Sequence, residues 1–572
     1  MKIKYYYCCL VIFSLLACNE AEKITSEKAT LLLINANIYT VDEQQPTASA
    51  IAIKGDRILE LGDAATLANY QDEKTKVIDL KGQFVLPGFI EGHGHFSGLG
   101  SSLQNLNFLK SKNWQQIVDQ VAQKVKTAKP GEWIIGRGWH QEKWNQPLGR
   151  QIHGYPFHDE LSAISPDNPV MLRHASGHSL FANKKAMELA SISVETPNPK
   201  GGEIVRDNKK RAIGVFEERA MTPIFLAYQE YLDNISAAEK KAIWLAGIEL
   251  ATKECHQHGI TSFQDAGSLF HEIAWYKELA AENKLGIRLW AMIRHSYEDM
   301  KDQLTDFPIV DAGNHHFTVK AIKTEVDGAL GAFGAWLLKP YDDKPNFVGQ
   351  NTTPISEVKK IAQLAFDNDL QLCVHAIGDR ANRVVLNIME ESFATNASKQ
   401  NLRWRIEHAQ HLDTMDIPRF KKLGVIASMQ GIHCTSDAPF VVKRLGEERS
   451  RVGAYPWRSL LDKGVIIANG TDAPVEDLSA LDCIYASVTR KRQDSGMEFF
   501  PEQRMTRAEA IHSYTLGNAY AAFEEKDKGS LTAGKLADIV VLSNDLLQCS
   551  DEEILSTQVL YTIIGGVIKY QN

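Results

Sequence analysis

Eight short apolar runs, separated by helical segments, constrain the fold of this chain more than any other feature. They cover residues 84–91, 259–265, 286–293, 317–327, 370–377, 404–408, 424–429 and 465–470. Several are rich in Val, Ile, Leu and Ala, as strands buried on both faces are. Strands that alternate with helices build a parallel sheet, and eight of them predict a closed (β/α)8 TIM barrel over residues 85–524. Ser236-Ala237-Ala238-Glu239 is a capping pattern that opens a helix toward Cys255. The first gap is too long for one crossover, so residues about 100–235 read as an inserted subdomain of mixed α/β character.

The two ends have a different texture. Residues 30–84 are short β-like runs broken by turns such as Lys54-Gly55-Asp56, and residues 525–572 repeat the pattern. Both ends together predict one small composite β-sandwich. Ahead of it, Lys2 and Lys4 precede an apolar run, too short to span a bilayer, that closes on Leu15-Leu16-Ala17-Cys18. This resembles a lipoprotein signal (residues 1–18) with Cys18 as the lipidated residue, followed by a polar tether over 19–29. Export and a lipid anchor in a bacterial membrane are the corresponding expectations. A net charge of −8 and the lack of a basic tail give no footprint for nucleic acid. None of the cysteines has C-x-x-C spacing, so neither a zinc ribbon nor a disulfide scaffold is indicated.

Barrel enzymes carry their chemistry at the C-terminal ends of the strands, and that rule sorts the 18 histidines. His93 and His95 end the first run at spacing i, i+2, which puts both on one face of an extended chain. His375, His408 and Asp472 end later runs. Imidazoles and a carboxylate at such positions suit a divalent ion, with zinc the expected metal and manganese, iron or nickel compatible. His256-Gln257-His258 has the same H-x-H spacing but enters a strand, so it falls on the opposite face. There it suits the end of a helix, closed by Gly259. His315 and His316 fall on that face too.

The order of these ligands resembles the amidohydrolase superfamily. Finer motifs resemble its family-3, YtcJ-like branch: Gly136-Arg137-Gly138-Trp139, Gly177-His178-Ser179, Asp265-Ala266-Gly267, Asp327-Gly328-Ala329-Leu330-Gly331 and His375-Ala376-Ile377-Gly378-Asp379. The resemblance implies that His93 and His95 bind one ion and His375 and His408 a second. It implies a bridging carboxylated lysine at Lys323, with Lys320 and Glu325 as competitors for that place, and a site of one or two ions. Asp472 would be ligand and proton shuttle, and His178 a donor or an orienting group. Trp139, Asp265 and Trp336 are candidates for substrate contact, and Phe333 and Trp144 add to an apolar pocket. The chain departs from the family's pattern at His140 and over residues 332–336.

The reaction so implied is hydrolysis of a non-peptide carbon–nitrogen bond in a small molecule. Lactone hydrolysis, deamination or isomerisation on the same metals is the alternative, since one fold hosts many chemistries. A ligand-binding lipoprotein without activity is a third reading, against which Asp472 counts. A homo-oligomer is left open.

Overall fold

The computed structural model describes residues 27–572 except residues 109, 142–143, 147–148, 175–178, 200–201 and 332. Cys18 and His178 lie outside the described residues.

Eight parallel strands follow one another around the barrel in chain order. They are β1 (Phe89–Gly94), β2 (Ile260–Ser268), β3 (Arg288–Ile293), β4 (Phe317–Glu325), β5 (Gln371–Ala376), β6 (Arg405–His408), β7 (Ile426–Gln430) and β8 (Ile467–Gly470). Their apolar residues are almost all buried, as such runs predict.

The first run differs from expectation. It breaks at Gly88 into two pieces that serve different layers. Phe84–Pro87 pairs antiparallel with Ile539–Leu542 among the terminal strands, while β1 alone enters the barrel beside β2. A Cβ on Gly88 would lie 2.2 Å from the Thr261 side chain, so only glycine lets the chain pass there.

The terminal strands form two sheets. One joins Arg57–Gly62, Ala50–Lys54, Leu31–Ile34 and Lys76–Asp79; the other joins Val567–Gln571, Val559–Ile564, Ile539–Leu542, Phe84–Pro87, Asn37–Tyr39 and Thr47–Ala48. Leu31, Ile51, Val85, Ile539 and Ile563 share one buried apolar cluster across both. A buried bidentate pair ties this unit to the barrel floor: Arg288 Nε and Nη2 donate to Asp538 at 2.7 and 3.0 Å.

Between β1 and β2 lie a six-stranded mixed sheet and several helices. Helix α1 (Phe96–Gln104) crosses helix α2 (Ala237–Gln257) so closely that a Cβ on Gly100 would sit 2.4 Å from the Gly247 carbonyl oxygen. Ser236 caps α2 by accepting from Glu239 N–H.

The seam between β1 and β8 carries no regular ladder. At its upper end the main chain closes it: Asp472 N–H donates to His93 C=O at 2.8 Å and His95 N–H to Ala473 C=O at 2.7 Å. Lower down, side chains substitute for backbone. The Asn518 amide donates to the carbonyls of Ile90 and Asn469 at 2.6 and 2.7 Å and accepts from Asn469 N–H at 3.0 Å. Buried Glu91 accepts from Thr471 N–H, and burial pushes its carboxyl up to about 8.

Candidate metal centre

The floor of the site is an ion pair inside the barrel. Arg405 and Glu407, two apart on β6, both point inward and are wholly buried. Arg405 Nε donates to Glu407 Oε1 at 2.7 Å, and Nη2 donates to Gly92 C=O at 2.9 Å and Ser428 Oγ at 2.7 Å. Burial pushes the Glu407 carboxyl up, but Arg405 and then His93 outweigh it and hold the group well below the carboxylate range. A fixed anion therefore stands behind His93, whose Nδ1 is in close contact with Glu407 Oε2. The proton sits on Nδ1, and the Nε2 lone pair faces the site.

Strand alternation would turn His408 away from the side that Glu407 occupies. His408 has φ +74° and Ala409 +43° instead, and this left-handed pair swings the imidazole back inside. Its ring lies 4.4 Å from that of His375 and 4.8 Å from that of His93. His408 Nδ1 donates to Gln430 Oε1 at 2.8 Å, which again directs the Nε2 lone pair forward. Asp472, φ +61°, is the other site residue with left-handed backbone. Strain of this kind concentrates where a site over-determines the chain.

Asp472 Oδ1 lies 3.1 Å from His95 Nε2 and 3.5 Å from His93 Nε2. Its Oδ2 faces His433 Nε2 at 4.0 Å. Burial opposes its ionisation, but the His95 contact and the neighbouring imidazoles hold the carboxyl well below its ordinary range. Burial drives the histidines the other way, to about 3 at His375 and well below normal at His408. Neutral imidazoles around a carboxylate are the ionisation states a divalent cation requires. Nε2 of His93, His375 and His433 is buried without a hydrogen-bond partner among the described residues. Donor atoms of His93, His95 and Asp472 lie within 4.8 Å of one another, as do those of His408, His433 and Asp472. The residues present fit one or two ions.

The remaining expected residues separate. Lys323 is 3 % exposed on β4, level with Cys373 of β5, and burial lowers its amine pKa. Glu325 pairs with Arg294 at the rim and is 41 % exposed, and Lys320 stacks over Phe523 at 4.0 Å. Trp336 is half-buried in the segment after β4, where its N–H donates to Asp327 Oδ2 at 2.8 Å.

Two candidates for substrate contact are engaged within the fold. Trp139 has no exposed surface: its indole donates to Leu172 C=O within the core of the inserted sheet. Asp265 is spent on structure, accepting from Phe96 N–H at the start of α1 and from Ser268 Oγ. Phe333 also packs rather than faces a ligand, beneath Arg444 at 3.9 Å. His256 and His258 lie at the C-terminal end of α2, where His256 Nε2 meets Gly286 C=O and His258 pairs with Glu254.

Sequence reasoning passed over Arg405, Glu407, Gln430 and His433. For His433 a signal existed, since it follows the end of the seventh run by a few residues. Asp327 emerged only as a motif letter. Its carboxylate accepts from the N–H groups of Trp336, Ile377 and Gly378 and so ties the segments after β4 and β5 together.

An eight-stranded barrel with imidazole and carboxylate donors converging at its C-terminal mouth defines a metal-dependent hydrolase. The amidohydrolase family model matches residues 76–570, and the chain belongs to that family. It is 31% identical over 554 residues to the protein LONG AFTER FAR-RED 3 of Arabidopsis thaliana, covering 95% of this chain and 92% of that one. It is 27% identical over 552 residues to the N-substituted formamide deformylase of Arthrobacter pascens, covering 95% and 98%. Among solved structures, an uncharacterized metal-dependent hydrolase from Pyrococcus furiosus superposes with a TM-score of 0.72 at 28% identity, covering 91% and 100%.

Proposed function

We propose that this hydrolase cleaves a non-peptide carbon–nitrogen bond in a small substrate, with N-substituted formamides the first class to test. The observation that carries the reading is the convergence of imidazole nitrogens from His93, His95 and His408 on the ionised carboxylate of Asp472, with the His375 ring packed against His408. The formamide class is suggested by the Arthrobacter relative.

His93, His95, His375, His408 and Asp472 would hold the metal, with zinc the expected ion. When bound, such an ion acidifies water to a pKa near 7 and polarises a carbonyl. Asp472 then has two tasks at two atoms. Oδ1 belongs to the His93 and His95 side, while Oδ2 takes a proton from the attacking water and returns it to the leaving amine. In a two-ion form, Lys323 as its carbamate would help hold the ions and would supply negative charge that offsets their repulsion. Its burial supports this, because a lowered amine pKa leaves the nucleophilic neutral form that carboxylation needs. The outward partners of Glu325 and Lys320 support it by elimination. Cys18 is retained as the proposed lipid anchor. No helix among the described residues is long and apolar enough to cross a membrane. Replacing Cys18 with Ser should release the protein from the membrane fraction and abolish acyl labelling.

The test combines metal analysis with turnover. The wild-type protein should contain one or two ions per chain and release formate from N-substituted formamides. The His93→Ala/His95→Ala variant should lose most of its metal and at least about 100-fold in activity, whereas His256→Ala/His258→Ala should lose neither. Turnover of lactones without any amide would overturn the carbon–nitrogen reading.

A further inference from the structure

We propose that His433 is the hydrogen-bond donor to the substrate's carbonyl oxygen and to the tetrahedral oxyanion that follows it, rather than a further metal ligand. His433 is the third residue of the helix Gly431–Leu445, immediately beyond β7. It is 7% exposed, and its Nε2 is buried without a hydrogen-bond partner among the described residues. One nitrogen of His408, one of His433 and an oxygen of Asp472 lie within 4.8 Å of one another, so proximity alone would admit His433 as a ligand.

What stands behind each ring distinguishes the roles. An imidazole that ligates through Nε2 must carry its proton on Nδ1, and an acceptor behind Nδ1 enforces this. His93 has such an acceptor in Glu407 Oε2, and His408 has one in Gln430 Oε1. Behind His433 the polarity is reversed. Its Nδ1 lies 3.1 Å from Gln410 Nε2, an amide nitrogen that can only donate. With the Gln410 amide in this orientation its nitrogen donates to Nδ1, and the ring proton sits on Nε2. A protonated nitrogen cannot bind a cation.

That N–H points at the site and is not consumed there. Asp472 Oδ2 is 4.0 Å away, too far for a hydrogen bond. The ring runs nearly parallel to His408, with 17° between planes and centroids 6.2 Å apart, so the donor lies beside a proposed ligand. A fixed donor next to a cation is the arrangement that stabilises charge developing on a substrate oxygen. The inference rests on the hydrolase reading for the identity of that oxygen, but not for the direction of the donor.

The experiment uses the metal-loaded full protein and methylphosphonate, a tetrahedral oxyanion whose binding does not depend on knowing the substrate. Three variants are compared by metal content, thermal melting and calorimetric affinity. His433→Leu removes the donor. In His433→Asn the amide nitrogen falls near Nδ1 and cannot reach the site, while His433→Gln places one near Nε2. Metal content should stay at the wild-type level in all three. Methylphosphonate affinity should fall by about tenfold or more in the Leu and Asn variants, and by about threefold or less in His433→Gln. On a substrate that is turned over, kcat should fall more than KM changes. Loss of metal from His433→Asn to the extent seen for His93→Ala would overturn the proposal and make His433 a ligand. Unchanged affinity in the Leu and Asn variants would also overturn it, as would failure of the wild-type protein to bind methylphosphonate. Absence of amide turnover with these affinity differences intact would remove the substrate reading and leave the donor assignment standing.

Discussion

His93 shows how a ligand is prepared before any ion arrives. The Arg405–Glu407 pair fixes an anion behind the ring, and the ring answers with a lone pair in front. Glu407→Gln keeps the shape but loses the charge, so metal affinity should fall about 10- to 100-fold, read by competition with a chelator. The pair itself was hidden in the sequence, where Glu407 reads as the neighbour of a ligand. Only the left-handed backbone at His408 lets two adjacent residues serve one site, and strand periodicity cannot foresee that turn. His93, His95 and Asp472 were legible because glycine-spaced or strand-end positions leave them little else to do. His411 makes a different point about burial. It is 2% exposed, neither ring nitrogen has a hydrogen-bond partner among the described residues, and burial first, then Arg449, lowers its pKa to about 3. The unfolded chain takes up a proton there near pH 6.5, while the folded chain resists until about 3. Stability is thus unaffected above 6.5 and falls by about 1.4 kcal/mol per unit as pH drops below it. Urea unfolding of His411→Phe should show a pH 5 to pH 7.5 difference about 2 kcal/mol smaller than wild type.

At the scale of elements, all eight barrel strands were legible because each is a run buried on both faces. The first was misjudged in extent, since an apolar run does not reveal that its halves serve different sheets. The seam was not legible at all. Nothing in the sequence marks Asn518 as the group that replaces a missing ladder between β1 and β8. Asn518→Ala leaves the carbonyls of Ile90 and Asn469 and one N–H without partners. It should cost about 3 kcal/mol or more in urea unfolding, at about 1–3 kcal/mol per buried group left unpaired. Gly470→Ala acts on the same joint, because its Cβ would lie 2.5 Å from Glu91 Oε1 and 2.6 Å from His93 N. The inserted sheet was expected only as a mixed subdomain. Its strand order is not sequential, and Trp139 and Trp144 read as pocket walls although Trp139 is core and Trp144 packs against it.

At the scale of the whole molecule, polar cross-links supplement the apolar packing between its parts. Asp538 anchors the terminal sheets to β3 through Arg288, and Asp538→Ala would leave a guanidinium buried and unpaired, a loss of about 3–5 kcal/mol in denaturant unfolding. At the opposite end, Arg137 of the inserted sheet donates to Pro474 C=O at 3.1 Å, two residues past Asp472. The β-rich ends were visible as texture, whereas these cross-links join residues hundreds apart and leave no local pattern. The seam has a further consequence. His93 and His95 sit on its one bank and Asp472 on the other, so an ion held by all three fastens the barrel as a clasp fastens a bracelet. Cargo for catalysis would thereby double as the last stave of the hoop. Metal removal should lower the melting temperature and speed amide exchange along β1 and β8 more than along β3 and β4. Because clasp and Asn518 secure the same joint, chelation should cost Asn518→Ala more than it costs the wild-type protein.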